Sequence, residues 1–151
     1  MDPRRLPPDF REFLECLNAA GVEYLLVGGH AVTFHGYPRV TADMDIWIGR
    51  SVDNADRLLA AIRRFFSGDL PGLTREQLLD PDQVTHFGAH PFQIEILNRI
   101  SGAEFPAAWS RRIQTHYDST PVNMLSLEDL KINKRASGRA KDLADLENLP
   151  E

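Results

Sequence analysis

The sequence predicts an α+β fold in which helices flank a mixed, mostly antiparallel sheet. Three observations support this class. Apolar stripes at helical spacing recur along the chain, short apolar runs typical of strands lie between them, and two pairs of these runs are close enough to form hairpins. A chain of 151 residues, 42% of them apolar, is long enough to bury one core. We therefore predict a single domain over residues 1–151.

The first half of the chain predicts helices and strands in alternation. Asp9 can cap the first helix, Gly21 ends it, and Ser51 or Asp53 can cap the third helix. The predicted elements are, in order, helix 9–20, strand 22–27, helix 29–35, strand 43–48 and helix 51–66.

The second half predicts two hairpins and a helical end. One hairpin joins its strands across Gly88-Ala89-His90 and the other across Asp118-Ser119-Thr120. Ser126 begins the C-terminal helices in a pattern close to a capping box, and these helices extend over about 126–149. The remaining predicted elements are helix 75–79, strands 84–87 and 91–97, a helical turn within 104–111, and strands 113–117 and 121–125.

Composition excludes several classes of protein. The net charge of −5 disfavours a main role in wrapping nucleic acid, which needs clustered cations. The single cysteine, Cys16, forbids an internal disulfide, and the longest apolar run is far too short to span a bilayer. The five histidines show no shared spacing typical of a zinc site. We expect a cytoplasmic protein without membrane contact.

Two aspartates lie in the second predicted strand. Residues two apart in a strand project to the same face, so Asp43 and Asp45 point together. Two adjacent carboxylates behind a buried face are costly unless a cation or a proton lies between them. Taken alone, the pair is also typical of a solvated edge strand, but its apolar neighbours predict a core behind it: Met44, Ile46 and Ile48.

Gly28 and Gly29 form a predicted turn between a strand and a helix, where the backbone can approach a ligand closely. The glycine pair followed by Asp43-Met44-Asp45 resembles the nucleotidyltransferase superfamily, which has a polymerase-β-like fold. The surrounding residues resemble its minimal bacterial branch, which includes AbiEii-type toxins and the small MNT proteins of toxin–antitoxin pairs. A second similarity is the C-terminal pattern Leu130-x-x-x-Lys134-x-x-x-Gly138-Arg139-x-Lys141-Asp142-x-x-Asp145.

The resemblance implies a metal site of three carboxylates. Asp43 and Asp45 would bind Mg²⁺ or Mn²⁺, which prefer oxygen ligands. Glu95 would be the third carboxylate, next to the acceptor, as a metal ligand or a general base. Strand alternation agrees, because it places Ile94 and Ile96 in the core and Glu95 on the opposite face.

The resemblance also implies residues that contact the nucleotide. Lys134 is a charge on a helix stripe, and its expected partner is the triphosphate. Arg39 and Thr41 would hold phosphates or orient the loop, whereas Arg139 is expected to pair with Asp142. Two assignments stay open: His30 either touches phosphate or packs, and Trp47 either stacks on a base or packs.

We therefore expect a nucleotidyltransferase that moves a nucleoside monophosphate from a nucleoside triphosphate (NTP) to a hydroxyl of a protein, an RNA or a small molecule. A protein partner encoded nearby is a further expectation. The main alternative is an inactive binding module, for example an antitoxin that acts by contact. A hydrolase that uses the same carboxylates is the third reading.

Overall fold

The computed structural model describes residues 6–38, 41–89 and 92–151. Helices and strands alternate through the first half of this part of the chain, and two hairpins and two helices follow. The helices are α1 (Pro8–Ala19), α2 (Gly28–Phe34), α3 (Val52–Phe66), α4 (Arg75–Leu79), α5 (Phe105–Ser110), α6 (Leu127–Ser137) and α7 (Ala140–Asn148). The strands are β1 (Tyr24–Val27), β2 (Met44–Ile48), β3 (Val84–Ala89), β4 (Phe92–Leu97), β5 (Ile113–Tyr117) and β6 (Thr120–Met124).

The six strands form one sheet in the order β3-β4-β2-β1-β6-β5. The pairs β1–β2, β3–β4 and β5–β6 are antiparallel, whereas β1–β6 and β2–β4 are parallel. The predicted α+β class with a mixed, mostly antiparallel sheet is therefore confirmed. The parallel β2–β4 pair places the carboxyl ends of these two strands at the same edge.

One face of the sheet packs on α1 and α3. The ring of Phe87 on β3 lies 5.1 Å from Phe13 of α1 and 6.2 Å from Phe65 of α3, measured between ring centroids. Every second residue of β2 and β4 is buried on this side: Met44, Ile46, Ile48, Ile94 and Ile96. This alternation is the one that the sequence predicts, and it leaves the polar residues of both strands on the other face.

Residues at their first turns explain where α1 and α3 begin. Ser51 caps α3, its hydroxyl accepting from the backbone N–H of Asn54. The predicted cap at Asp9 is wrong, because α1 begins after Pro7, and Pro8 supplies the first helical φ. Asp9 instead lies in the first turn.

The hairpins differ slightly from the prediction. Strand β3 continues to Ala89, so Gly88 and Ala89 pair with β4 instead of forming the turn, and His90 and Pro91 lie outside the described residues. In the second hairpin Thr120 belongs to β6. Among the described helices, none is long and apolar enough to cross a bilayer.

Candidate active site

Asp45 and Glu95 lie side by side on the polar face of the sheet. They are register partners in the parallel β2–β4 pair, and side chains of such partners project to the same face. Val27 continues this row on β1 and His86 continues it on β3. The structure thus brings together two of the three predicted carboxylates, although they are 50 residues apart in the sequence.

The carboxyl group of Asp45 is held in an environment that disfavours its charge. Burial first, then the charges of Glu95 and Asp43 and a side-chain hydrogen bond with Glu95, raise its pKa to about 6, and the charge of Lys141 partly offsets this effect. Its Oδ1 is buried and has no hydrogen-bond partner among the described residues. A carboxylate in this state gains free energy from a cation placed beside it.

Asp43 lies just before β2 and is exposed. It therefore does not share the strand geometry that its spacing from Asp45 predicts. It is still close enough for its charge to raise the pKa of Asp45.

The Gly28-Gly29 turn lies in direct contact with Asp45 and Thr41. Gly28 has φ +64°, and a Cβ at this position would collide with the Asp45 carboxylate. A Cβ on Gly29 would lie 2.8 Å from both Oγ1 and Cγ2 of Thr41. Both positions need glycine because the turn approaches these two side chains so closely.

Of the residues predicted near phosphate, His30 is buried. Burial lowers its pKa to about 4, although a hydrogen bond with the backbone of Asp43 works in the opposite direction. The ring packs edge-on against Phe10 with 6.1 Å between centroids. The structure therefore shows packing of His30, and its predicted contact with phosphate stays a prediction.

Thr41 faces Gly29, and its hydroxyl oxygen is buried without a hydrogen-bond partner in the described part of the chain. The predicted role of Thr41 near phosphate stays a prediction. Arg39 lies outside the described residues.

Lys134 has two carboxylate partners within the chain. Its ammonium lies 3.2 Å from Asp142 and 3.1 Å from Asp145. These two buried carboxylates of α7 account for a charge on this helix stripe, whereas the contact with a triphosphate stays a prediction for a residue that also lines the cleft. The predicted pairing of Arg139 with Asp142 is confirmed, with 2.8 Å between Nε and Oδ2.

The sequence leaves the assignment of Trp47 open between stacking on a base and packing. Trp47 lies two residues beyond Asp45 but is only 1% exposed, and its ring packs edge-on against Phe105 with 5.1 Å between centroids. No face of the indole is free to stack on a base. The packing alternative is the right one.

A cleft of about 540 Å³ opens from the glycine turn and Asp45 towards the corner between α6 and α7. Four cations line it: Arg99, Lys134, Arg139 and Lys141. Sequence reasoning missed Arg99, which carries no signal beyond its place after β4. It also missed Lys141, although this residue belongs to the C-terminal pattern quoted above.

The donors suit Mg²⁺ but do not enclose it. Among the described residues, no three His, Cys, Asp or Glu side chains converge as a metal cage. Mg²⁺ is usually held by one or two carboxylates together with water and substrate phosphates, so a cage is not required. The unpartnered Asp45 Oδ1 and its neighbour Glu95 fit such an open site.

Comparison with known families agrees with this geometry. The model of a family described as a nucleotidyltransferase of unknown function (DUF6036) matches residues 9–149. The match covers nearly the whole chain, and the protein belongs to this family. No curated protein matches the chain.

Proposed function

We propose that this nucleotidyltransferase uses Mg²⁺ or Mn²⁺ to move a nucleoside monophosphate from an NTP to a hydroxyl of a protein, an RNA or a small molecule. The observation that carries the proposal is the half-buried Asp45–Glu95 pair, whose Asp45 lines a cleft with four cations and is only partly offset by the charge of Lys141. Family membership supports the reaction class. The metal, the nucleotide and the acceptor belong to the proposal.

The cleft has carboxylates for a metal ion and cations for the triphosphate of an NTP. Asp45 and Asp43 would hold the metal, and Glu95 beside Asp45 would face the acceptor. Lys141 and Arg139 line the same cleft and would contact the triphosphate. Gly28 has no side chain, so the backbone of the turn lies directly against Asp45 and would border an α-phosphate held there. When bound, the metal would polarise the phosphoryl oxygens and stabilise charge that develops on them.

The transfer is a substitution at the α-phosphorus of the NTP. The acceptor oxygen attacks the α-phosphorus, the bond from that phosphorus to the bridging oxygen breaks, and pyrophosphate leaves. The hydroxyl proton passes to Glu95, which lies between Asp45 and the edge strand β3. The approach of the acceptor over β3 and β4 would place its hydroxyl beside this carboxylate.

The resemblance to AbiEii-type toxins extends the proposal to a toxin–antitoxin pair, with the product of an adjacent gene as the protein partner. An inactive binding module would keep the fold without needing an uncompensated Asp45. The unfavourable environment of this carboxyl group therefore favours the enzyme over the module.

The test is transfer of radiolabel from the four α-³²P-labelled NTPs in the presence of Mg²⁺. Total RNA, cell extract and the adjacent gene product serve as acceptors. We expect label on one acceptor class with wild type and none with Asp45→Asn. Release of labelled monophosphate without labelled acceptor would indicate a hydrolase, and neither product with any NTP would overturn the proposal.

A further inference from the structure

A buried ion cluster fastens α6 to α7 at the wall of the cleft. It consists of Lys134, Ser137, Arg139, Asp142 and Asp145, and we call it the corner cluster. The side chains of Lys134, Asp142 and Asp145 are at most 5% exposed. Ion pairs buried to this extent need close geometry, because water no longer solvates either charge.

Asp142 is the centre of this cluster. Its Oδ2 accepts from Ser137 Oγ at 2.7 Å, and from the side chain and backbone of Arg139 at 2.8 and 3.3 Å. Its Oδ1 accepts from Lys134 Nζ at 3.2 Å and from Arg139 Nη2 at 3.4 Å. A carboxylate has about four acceptor positions, so these contacts leave none for a metal ion.

Arg139 therefore uses one edge of its guanidinium for Asp142. Its Nη1 makes no hydrogen bond with any described residue, and the side chain lines the cleft that contains Asp45. The hydrogen bond and charge of Asp142 raise the pKa of Arg139, and the charge of Asp45 adds to this effect. The guanidinium is thus fixed on one side and open on the side of the cleft.

We infer that Asp142 is a positioning residue that aims Arg139 at the triphosphate of a bound NTP, while Lys134 anchors the carboxylate of Asp142 from the opposite side. This inference rests on the proposed function. It assigns Lys134 an indirect role in place of the direct phosphate contact that the sequence predicts. A fixed guanidinium binds phosphate with less loss of conformational freedom than a mobile one.

Asp129 provides a matched control. It occupies the third residue of α6 as Asp142 occupies the third residue of α7. It is also buried, and it accepts from Arg111 at 3.0 and 2.8 Å and from Ser126 at 2.9 Å. Neither Asp129 nor Arg111 lines the cleft. The two sites share their local chemistry and differ in their distance from the proposed nucleotide.

The experiment measures the dissociation constants of the four NTPs and the four monophosphates, each with Mg²⁺, by isothermal titration calorimetry. We expect Asp142→Asn to weaken the best NTP by about tenfold or more, since hydrogen bonds to charged groups have this magnitude. The monophosphate should change much less. Asp129→Asn should change neither, and adding Asp142→Asn to Arg139→Ala should cause no further loss.

Two outcomes overturn the inference alone: equal effects of Asp142→Asn and Asp129→Asn, or additive effects of Asp142→Asn and Arg139→Ala. If wild type binds none of the four NTPs, the proposed function fails and this inference fails with it. Circular dichroism checks that each variant is folded.

If Asp142→Asn does not fold, the NTP affinity of Arg139→Lys tests the inference in its place. Arg139 is mostly exposed, so this variant should fold, but it cannot keep the two-nitrogen contact with Asp142. Positioning predicts that Arg139→Lys loses most of the NTP affinity that Arg139→Ala loses. Full affinity in Arg139→Lys would mean that charge alone matters and would overturn the inference.

Discussion

Asp45 is half-buried and Asp142 is buried, and their surroundings shift the pKa values of the two carboxyl groups in opposite directions. On the sheet, burial and the negative charges of Glu95 and Asp43 disfavour the charged form of Asp45 and raise its pKa to about 6. At the corner of α6 and α7, burial would also raise the pKa of Asp142. Hydrogen bonds from Arg139, Ser137 and Lys134 outweigh it and hold the pKa of Asp142 well below its usual range.

Under the proposed function, this difference separates the reacting site from a supporting one. A fold gains no stability from placing Asp45 beside Glu95, so the pair is a candidate site for a cationic ligand. In the corner cluster, in contrast, the cations and carboxylates pair with one another. Two of its cations, Lys134 and Arg139, also line the cleft. Four predictions test the comparison, from the largest expected effect to the smallest.

The largest effect concerns transfer of label from NTP. Asp45→Asn should lower the rate by at least about a thousandfold, because metal stabilisation of developing charge is worth several kcal/mol. Asp9→Asn, an exposed change in the first turn of α1, is the control and should leave the rate unchanged. A rate in Asp45→Asn within a few fold of wild type would remove Asp45 from the site.

The second effect is on stability at the corner cluster. Asp142→Asn leaves the buried ammonium of Lys134 with Asp145 as its remaining ion-pair partner among the described residues, and breaking a buried pair costs about 3–5 kcal/mol. Urea unfolding at pH 7 measures this loss. The native pKa of Asp142 lies below the unfolded value, so its contribution is present above about pH 4 and is lost only as pH falls through the native pKa. A loss below 1 kcal/mol would mean that the cluster does not support the fold.

The third effect has the opposite sign. The native pKa of Asp45, about 6, exceeds the unfolded value of about 3.9, so the ionised carboxylate destabilises the metal-free protein increasingly as pH rises from about 4 to about 6. Asp45→Asn in EDTA should therefore raise the free energy of unfolding at pH 7 by about 1–3 kcal/mol. The gain should disappear near pH 4. Lower stability of Asp45→Asn at pH 7 would show that this carboxylate is compensated after all.

The smallest effect concerns the glycine turn. Gly28 and Gly21 both have positive φ, +64° and +71°, but a Cβ on Gly21 meets nothing within 4 Å, whereas one on Gly28 meets Asp45. Each change to alanine should cost about 1–2 kcal/mol for the left-handed backbone, and Gly28→Ala should cost more because its Cβ displaces the Asp45 carboxylate. Only Gly28→Ala should also weaken Mg²⁺-dependent NTP binding. Equal binding in both variants would mean that the contact with Asp45 is unimportant.

The sequence predicts most of the fold because the elements have local signals. The alternation of Met44, Ile46 and Ile48 indicates the buried face of β2, and Ser51 and Ser126 mark helix starts that the structure confirms. The same alternation places Glu95 on the polar face. The alternation does not predict which residue lies beside Glu95, because the parallel register of β4 with β2 depends on pairing between distant parts of the sequence.

Charges and aromatic rings were harder to place for the same reason. Lys134 carries the same local signal whether its partner is a phosphate or a carboxylate, and its partners lie across the turn at Gly138. Trp47 follows the alternation of the aspartates, but α5 covers it with Phe105. Arg99 reaches the cleft from a loop, where no periodicity predicts the direction of a side chain.

The most direct test of the account is calorimetric titration of NTP into wild type and Asp45→Asn, each with Mg²⁺ and with EDTA. If the Asp45–Glu95 pair needs a cation that the nucleotide brings, wild type binds an NTP with Mg²⁺ and binds it much more weakly with EDTA. Asp45→Asn should show only the weak binding in both conditions. Equal NTP affinity in wild type and Asp45→Asn, unaffected by EDTA, would contradict the account.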